Sequence, residues 1–343
     1  MFSHKSHPSL KLNLALQGGG AHGAYTWGVL DALLEDGRFD FEGISGTSAG
    51  AMNAIAFANG WLKNGREGAR EGLAEFWNGV AALAPSEGVS AFLDPSKPAP
   101  GMSWMVEMTR WFSPYQLNPL ALNPLRDLVD RFFDFERLRE SCPFQLFVAA
   151  THANSGHLKL FRNHDLSADA LLASACLPTI SHAVMINGEP YWDGGYAANP
   201  AVFPLFRFCE SRDILLVLLA PLHHERTPRG AAEIQGRALE LSFNNAFLRE
   251  MRLLAAMRDM AEESGWLSGT LEQHLRSTRF HMIESEETLG GLSQMTKIVA
   301  NQAFLHQLRD AGQASAKRWL GANAQAIGHR ATLDIHRVFL PDG

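Results

Sequence analysis

Lys11-Leu12-Asn13-Leu14-Ala15-Leu16 is a short, mostly apolar run, and Gln17-Gly18-Gly19-Gly20-Ala21-His22-Gly23 follows it without a spacer. From Ala24 to Leu34 the apolar residues recur at helical spacing. The stretch reads as strand, glycine loop, helix. A second unit of the same kind comes next: Phe41 to Ile44 is mostly apolar, Gly46-Thr47-Ser48-Ala49-Gly50 is built of small residues, and a helical pattern then runs on to end before Gly60. In this second unit a serine stands at the apex of the turn.

Three successive glycines after a strand leave backbone N–H groups uncovered, and the following helix adds the positive end of its dipole, so the loop suits an anion. That anion is either a phosphate carried by a ligand or the oxyanion formed when an ester carbonyl is attacked. Gly18-x-Gly20-x-x-Gly23 matches the dinucleotide fingerprint, for which Asp40 or Glu42 would be the ribose-binding acid. The next strand ends instead in Gly46-x-Ser48-x-Gly50, whose glycines permit a sharp strand-to-helix turn that pushes a hydroxyl outward. A nucleotide site has no use for that serine. A nucleophile at a helix N-terminus beside a loop of backbone donors, by contrast, makes one reaction of the two turns.

Composition bounds the rest. With 343 residues, 46% of them hydrophobic and 19% charged, the chain buries a large core and is not extensively disordered. The formal net charge of −6 gives no reason to expect nucleic acid. Cys142, Cys176 and Cys209 are too few and too scattered for a disulfide framework or a zinc site, no metal-ligand spacing appears, and no cofactor is expected. Residues Met1 to Leu10 form a polar tail without a signal-peptide pattern, and the longest apolar run, Ile214 to Ala220, is too short to span a bilayer. The expectation is a cytoplasmic protein whose contact with membranes, if any, is peripheral.

Along the chain, Asn64 to Ala84 reads as a helix with a broken pattern, and the prolines and glycines from Ala84 to Met102 as a loop. Trp104, Met105, Met108, Trp111 and Phe112 form an apolar group at helical spacing, fit either for a lid over a lipid-like substrate or for ordinary core packing. Asn123 to Phe133 predicts a helix, Pro143 to Ala150 a buried strand, Gly156 to Phe161 its hairpin partner, and Ala168 to Leu177 a helix stopped by Pro178. Ala183 to Ile186 and Tyr191-Trp192 flank an Asn187-Gly188 turn, and Asp213 to Ala220 is a fully buried strand. Arg229 to Glu263 and Gln294 to Leu320 read as long helices, with Thr278 to Ile283 a late strand between them. The pattern gives an α/β fold: a mostly parallel central sheet with helices on both faces, and a helical C-terminal extension. The divisions expected are a tail over 1–9, an α/β core over 10–222, and a mainly helical extension over 223–343.

A serine nucleophile needs a base. Of 14 histidines, His152, His182 and the pair His223-His224 fall in positions where a triad member is conceivable. Asp193, followed by Gly194 and Gly195 and flanked by Trp192 and Tyr196, occupies a turn where water can be partly excluded. Taken together and in this order, Gly18-Gly19-Gly20-x-x-Gly23, Gly46-Thr47-Ser48-Ala49-Gly50, Ala173-Ser174-Ala175-Cys176-Leu177-Pro178, Asp193-Gly194-Gly195 and Asn199-Pro200 resemble the patatin-like phospholipase family over roughly Leu12 to Ala220. The resemblance implies a three-layer α/β/α fold, Ser48 as nucleophile, Asp193 as its direct partner without a histidine, and an oxyanion hole from the amides around Gly18, Gly19 and Gly20. One position departs from the family pattern: His22 stands where arginine or lysine is usual, so a permanent charge is replaced by a group mostly neutral at pH 7.

The implied activity is hydrolysis of phospholipids, lysophospholipids or simpler acyl esters through an acyl-enzyme. A normal aspartate, with a pKa of ~3.9, is a weak base for a hydroxyl, and burial beside Trp192 and Tyr196 is the expected remedy. Arg226, Arg229, Arg237, Arg249, Arg252 and Arg258 offer either a headgroup site or a solvated helix face. Three rival readings stay open: acyl transfer or thioester cleavage by the same serine, a lipid-binding regulatory protein of weak activity, and a dinucleotide-binding oxidoreductase. A homo-oligomer is also left open.

Overall fold

The structure, a computed structural model, describes residues 10–84, 111–224, 226–263, 269–292 and 294–340. Trp104, Met105 and Met108 of the expected apolar group, and nearly all of the expected loop from Ala84 to Met102, lie outside the described residues.

Among the described residues eight strands form one sheet in the order β5-β6-β3-β2-β1-β7-β8, with β4 on the far edge of β3. They are β1 (Leu10–Leu16), β2 (Phe39–Thr47), β3 (Gln145–His152), β4 (Leu158–Arg162), β5 (Val184–Ile186), β6 (Glu189–Asp193), β7 (Asp213–Leu218) and β8 (Arg279–Glu284). The pairs among β3, β2, β1, β7 and β8 are parallel. β4, β5 and β6 add antiparallel pairs at one side. The central strands are apolar on both faces because both faces are covered. On β7, Leu215 and Val217 point into one core with α1 (Gly23–Asp36), α2 (Ala49–Ala82) and the helix Gln302–Asn323. Ile214, Leu216 and Leu218 point into the other, against the helices Phe203–Phe208, Ala231–Glu263 and Ile335–Phe339. This is the expected three-layer arrangement with a helical C-terminal region.

The helix expected to stop before Gly60 continues past it. The break falls at Asn64 and Gly65, where Gly65 takes φ 55° and the chain folds back into the second half of α2. Gly60 serves that reversal, since a Cβ there would overlap the carbonyl of Gly68 on the returning helix. Gln294 to Leu320 is likewise not one helix: a short 3-10 helix, Gln294–Ile298, precedes the helix Gln302–Asn323. Asn301 separates them, its side chain accepting the N–H of Phe304 as an N-cap.

The last 120 or so residues are joined to the sheet. The expected late strand is β8, which extends the sheet beyond β7. Its first residues are fixed by Asp213, a buried carboxylate at the start of β7 that accepts from Arg279 Nη2 at 2.6 Å, Arg279 Nε at 2.9 Å, His281 Nε2 at 3.0 Å and the Gly328 amide at 3.0 Å. Burial by itself would raise the Asp213 pKa, but these donors outweigh it and bring it down to about 2. No helix among the described residues is long and apolar enough to cross a membrane.

Candidate active site

β2 occupies one edge of β3 from Gln145 to Ala149 and ends at Thr47; beyond it β6 takes the same edge, pairing Ala150 with Asp193. β4 holds the opposite edge from Phe147 to Thr151. The end of β2 therefore abuts the end of β6, which brings together residues 48 and 193 from distant parts of the chain. Gly194 lies against the Ala149 carbonyl and 3.0 Å from Thr47 Cγ2, measured from where its Cβ would stand. The Thr47 hydroxyl donates to the Ala198 carbonyl at 2.8 Å, fastening the strand end to the turn that follows Asp193.

Ser48 has φ 53° and ψ −122°, a backbone conformation rarely adopted by a residue with a side chain, and it stands immediately before the first turn of α2. It is half-buried, whereas Asp193 is 1% exposed. Asp193 Oδ1 accepts the Gly195 N–H at 2.8 Å. Its Oδ2 is buried without a partner of hydrogen-bond geometry among the described residues, although the Ser48 hydroxyl is near enough to act on the carboxyl. Burial raises the Asp193 pKa to about 7, against smaller lowering effects from the Gly195 amide and the Ser48 hydroxyl. Phe243, from the helix Ala231–Glu263, lies on Gly195 and packs its ring 4.6 Å from that of Tyr196, closing this side of the carboxyl.

The Ala173 to Pro178 motif has a definite task. The Ser174 hydroxyl accepts the Ser48 N–H at 2.9 Å, and the Cys176 carbonyl accepts the Asp193 N–H at 2.8 Å. One helix end thus holds the backbones of both residues. Nothing in the sequence marks Ser174 for that duty beyond its place in the motif.

The glycine loop lies alongside. A Cβ on Gly18 would stand 2.6 Å from the Thr47 carbonyl and 2.8 Å from Ser48 Cβ, so only glycine lets the two turns meet. Gly23, Gly46, Gly50 and Gly195 are as tightly enclosed. Of the amides around Gly18, Gly19 and Gly20 expected to form the oxyanion hole, that of Gly18 is engaged, its N–H donating to Asn199 Oδ1 at 2.7 Å. Gly19 and Gly20 donate to no group among the described residues. Gln17 braces the arrangement, accepting the Leu219 and Ala220 amides at 2.5 and 2.8 Å and donating to the Asn199 carbonyl and to Asn244 Oδ1, both at 3.2 Å.

His22 does not face this opening. It is 3% exposed, its Nε2 lies 2.6 Å from the Thr296 hydroxyl, and burial, with a smaller contribution from Lys297, lowers its pKa to about 3. Its imidazole is neutral at any physiological pH. The other histidines are engaged elsewhere: His152 with Ser155 and Glu189, His182 with the Pro114 carbonyl and the Tyr115 ring, His224 with Glu240. No histidine among the described residues bonds to Ser48 or Asp193. The acids required by a dinucleotide site are also misplaced. Asp40 and Glu42 lie toward the start of β2, with Asp40 paired to Arg66 and Glu42 accepting the Glu210 and Ser211 amides.

The sequence matches the patatin-like phospholipase family over residues 14–206. The chain belongs to that family. Its members being lipid acyl hydrolases, the match places this chain among them at family level. No curated protein matches the chain. Among solved structures it is similar to VipD from Legionella pneumophila, at 16% identity and a TM-score of 0.42, over 92% of this chain and 68% of that one. The matched span of the patatin-like family runs from inside β1 to the helix after Asn199 and holds every residue of the Ser48 and Asp193 surroundings described above except Leu219, Ala220, Phe243, Asn244, Thr296 and Lys297.

Proposed function

We propose that this chain hydrolyses acyl esters of lipids through a dyad of Ser48 and Asp193. The observation carrying this reading is the Asp193 carboxyl itself, buried beside Ser48 with one oxygen unengaged and a pKa of about 7. A base with that pKa is half ionised at neutral pH, where an ordinary aspartate has little affinity for a proton. In the proposed reaction the Ser48 Oγ attacks the ester carbonyl while Asp193 Oδ2 takes its proton. Gly19 and Gly20 N–H hold the oxyanion, helped by the N-terminal end of α2. Collapse breaks the ester C–O bond, and the departing alcohol oxygen takes the proton back from Asp193. Water then attacks the acyl-enzyme, giving its proton to Asp193, and as the C–O bond to Ser48 breaks Asp193 returns that proton to the Ser48 Oγ and the fatty acid leaves.

A fluorophosphonate probe tests this directly. Wild type is expected to be labelled on Ser48, as located by mass spectrometry, with no labelling of Ser48→Ala and strongly slowed labelling of Asp193→Asn. Wild type that is unlabelled, or labelled on another residue, would exclude the dyad.

The substrate class proposed is glycerophospholipid, lysophospholipid or simple acyl ester, reached at a membrane surface. Trp111, Phe112, Tyr115, Leu117, Leu120 and Leu122 are all exposed within one short segment, Trp111 to 77% and Leu120 to 78%. So concentrated an apolar stretch suits contact with lipid. The arginines give less support: Arg237 is paired with Glu240 and Arg258 with Glu262, while Arg226, Arg229, Arg249 and Arg252 are exposed. Replacing Trp111, Leu120 and Leu122 together by serine is expected to reduce sedimentation with phosphatidylcholine vesicles several-fold while leaving hydrolysis of a soluble short-chain ester unchanged. Equal sedimentation of variant and wild type would remove this surface from the membrane reading.

A further inference from the structure

A loop of three glycines is a poor holder of fixed donors, because a glycine backbone turns freely and its folded conformation has to be imposed from outside. The proposed reaction nonetheless needs the Gly19 and Gly20 amides aimed at one place. The start of the loop is braced by Gln17 and by the Asn199 side chain on the Gly18 amide. Its end is braced by residues from a remote part of the chain. Gly20 takes φ 60°, and a Cβ there would overlap the Lys297 carbonyl oxygen. Two residues on, His22 Nε2 lies 2.6 Å from the Thr296 hydroxyl. Both contacts are made by the 3-10 helix Gln294–Ile298.

A single short 3-10 turn has too few internal bonds to hold its own place, so what fixes it matters. Its first residue, Gln294, is seated on the long helix Ala231–Glu263 at two positions one turn apart. At Gly236 the missing side chain leaves room for Gln294, whose Cγ and Cβ lie 3.1 and 3.6 Å from where a Cβ would stand. At Glu240 the buried carboxylate accepts Gln294 Nε2 on Oε2 at 2.7 Å. Its other oxygen, Oε1, accepts from Arg237 and lies 2.7 Å from His224 Nε2, so the acceptor is itself held still. Within the next turn the same helix sets Phe243 on Gly195 and Asn244 on Gln17. Both sides of the site are thus referred to one support.

Resting on the hydrolase reading above, we propose that Gln294 is a positioning residue: by keying the 3-10 helix onto Gly236 and Glu240, it holds the glycine loop in the conformation that presents the Gly19 and Gly20 amides to the oxyanion. Gln294 touches neither substrate nor Ser48 and acts through the backbone of Lys297 and the side chain of Thr296. Losing its bond frees the turn to shift, and donors displaced by a fraction of an ångström stabilise the developing charge less well while the ground-state ester is bound as before.

The test uses the full chain and a neutral short-chain nitrophenyl ester. Gln294→Leu, which keeps the bulk and removes the hydrogen bond, is expected to lower kcat about tenfold with KM within about threefold of wild type. The acid limb of kcat/KM, which Asp193 sets, should keep its midpoint near pH 7, because the loss lies on the oxyanion side. Gln294→Glu sets a second carboxylate against Glu240 and should lose at least as much. Adding Glu240→Gln to it places an amide donor opposite that carboxylate and should restore kcat to within about threefold of wild type. A Gln294→Leu kcat within twofold of wild type would overturn the proposal. So would a midpoint displaced by a full pH unit, which would mean that the long helix had moved off the Asp193 side, or a double variant as impaired as Gln294→Glu. If Gln294→Leu does not fold, Gln294→Glu and its rescue decide alone. Labelling of wild type on Ser48 keeps the two readings apart: where it occurs and the Gln294 variants are unimpaired, only the positioning proposal fails; where it does not occur, both fail.

Discussion

Asp193→Asn is expected to lose at least ~10⁴-fold in ester hydrolysis and, above pH 7, to be more stable than the wild-type protein. The first effect follows from removing the group that takes the Ser48 proton in the proposed reaction. The second follows from the same burial that makes Asp193 a base. Its pKa is about 7 in the folded chain against a reference value of 3.8. Below pH 3.8 the carboxyl is protonated in both states and contributes no difference. Between the two values the unfolded chain releases the proton and the folded chain keeps it, so stability falls by ~1.4 kcal/mol per pH unit. By pH 7 the accumulated cost is ~4 kcal/mol, and above that it stays constant. Asparagine keeps the shape and carries no charge at any pH. Urea unfolding of the two proteins should therefore give the same free energy near pH 4 and diverge toward pH 8 in favour of the variant. Wild-type kcat/KM should fall about tenfold per unit below pH 7 and level off above it. A flat profile through pH 7, or equal stabilities at pH 8, would contradict the buried-base account.

The second large effect is structural. Asp213→Ala is expected to cost ~3–5 kcal/mol, because it strips the acceptor from Arg279, His281 and the Gly328 amide while leaving them buried or half-buried. The sign of the pH dependence is opposite to that of Asp193. The folded pKa of about 2 lies below 3.8, so Asp213 contributes stability above pH 3.8 and loses it as the pH falls through about 2. That contribution is ~2.5 kcal/mol. Chemical denaturation at pH 7 and at pH 2 measures both, and the gap between variant and wild type should narrow in acid. Asp213 stands at the start of β7, the opposite end of the sheet from Ser48. The folded fraction of Asp213→Ala should accordingly still be labelled on Ser48. A loss under 1 kcal/mol at pH 7 would mean that the cluster does not hold β8 to β7.

The C-terminal region has consequences for how the site is built. Phe243, Asn244, Thr296 and Lys297, which pack on Gly195, Gln17, His22 and Gly20, lie beyond the 14–206 span that matches the family. A truncated chain ending near Leu222 would keep Ser48, Asp193 and the glycine loop but expose the Gly195 face and lose the partner of His22.

The sequence alone determined the two strand-turn-helix units, the glycine loop, the elbow at Ser48 and the Asp193 turn. Each of these is written in contiguous residues, because a turn that needs positive φ or a close backbone approach restricts its own sequence. Strands buried on both faces were legible for a similar reason, since burial requires an unbroken apolar run such as Ile214 to Leu218. Tertiary structure alone decided what those pieces do to one another. Gly60, in sequence a helix stop, proved a contact point between two helices. The Gly18 amide is claimed by Asn199, 181 residues away, and His22 turns inward to Thr296, 274 residues away. The raised pKa of Asp193 also arises only on folding, from desolvation by side chains as remote as Phe243. Local conformation depends on local sequence, but burial, hydrogen-bond partnership and electrostatic environment are properties of the packed chain, set by residues that the sequence holds far apart.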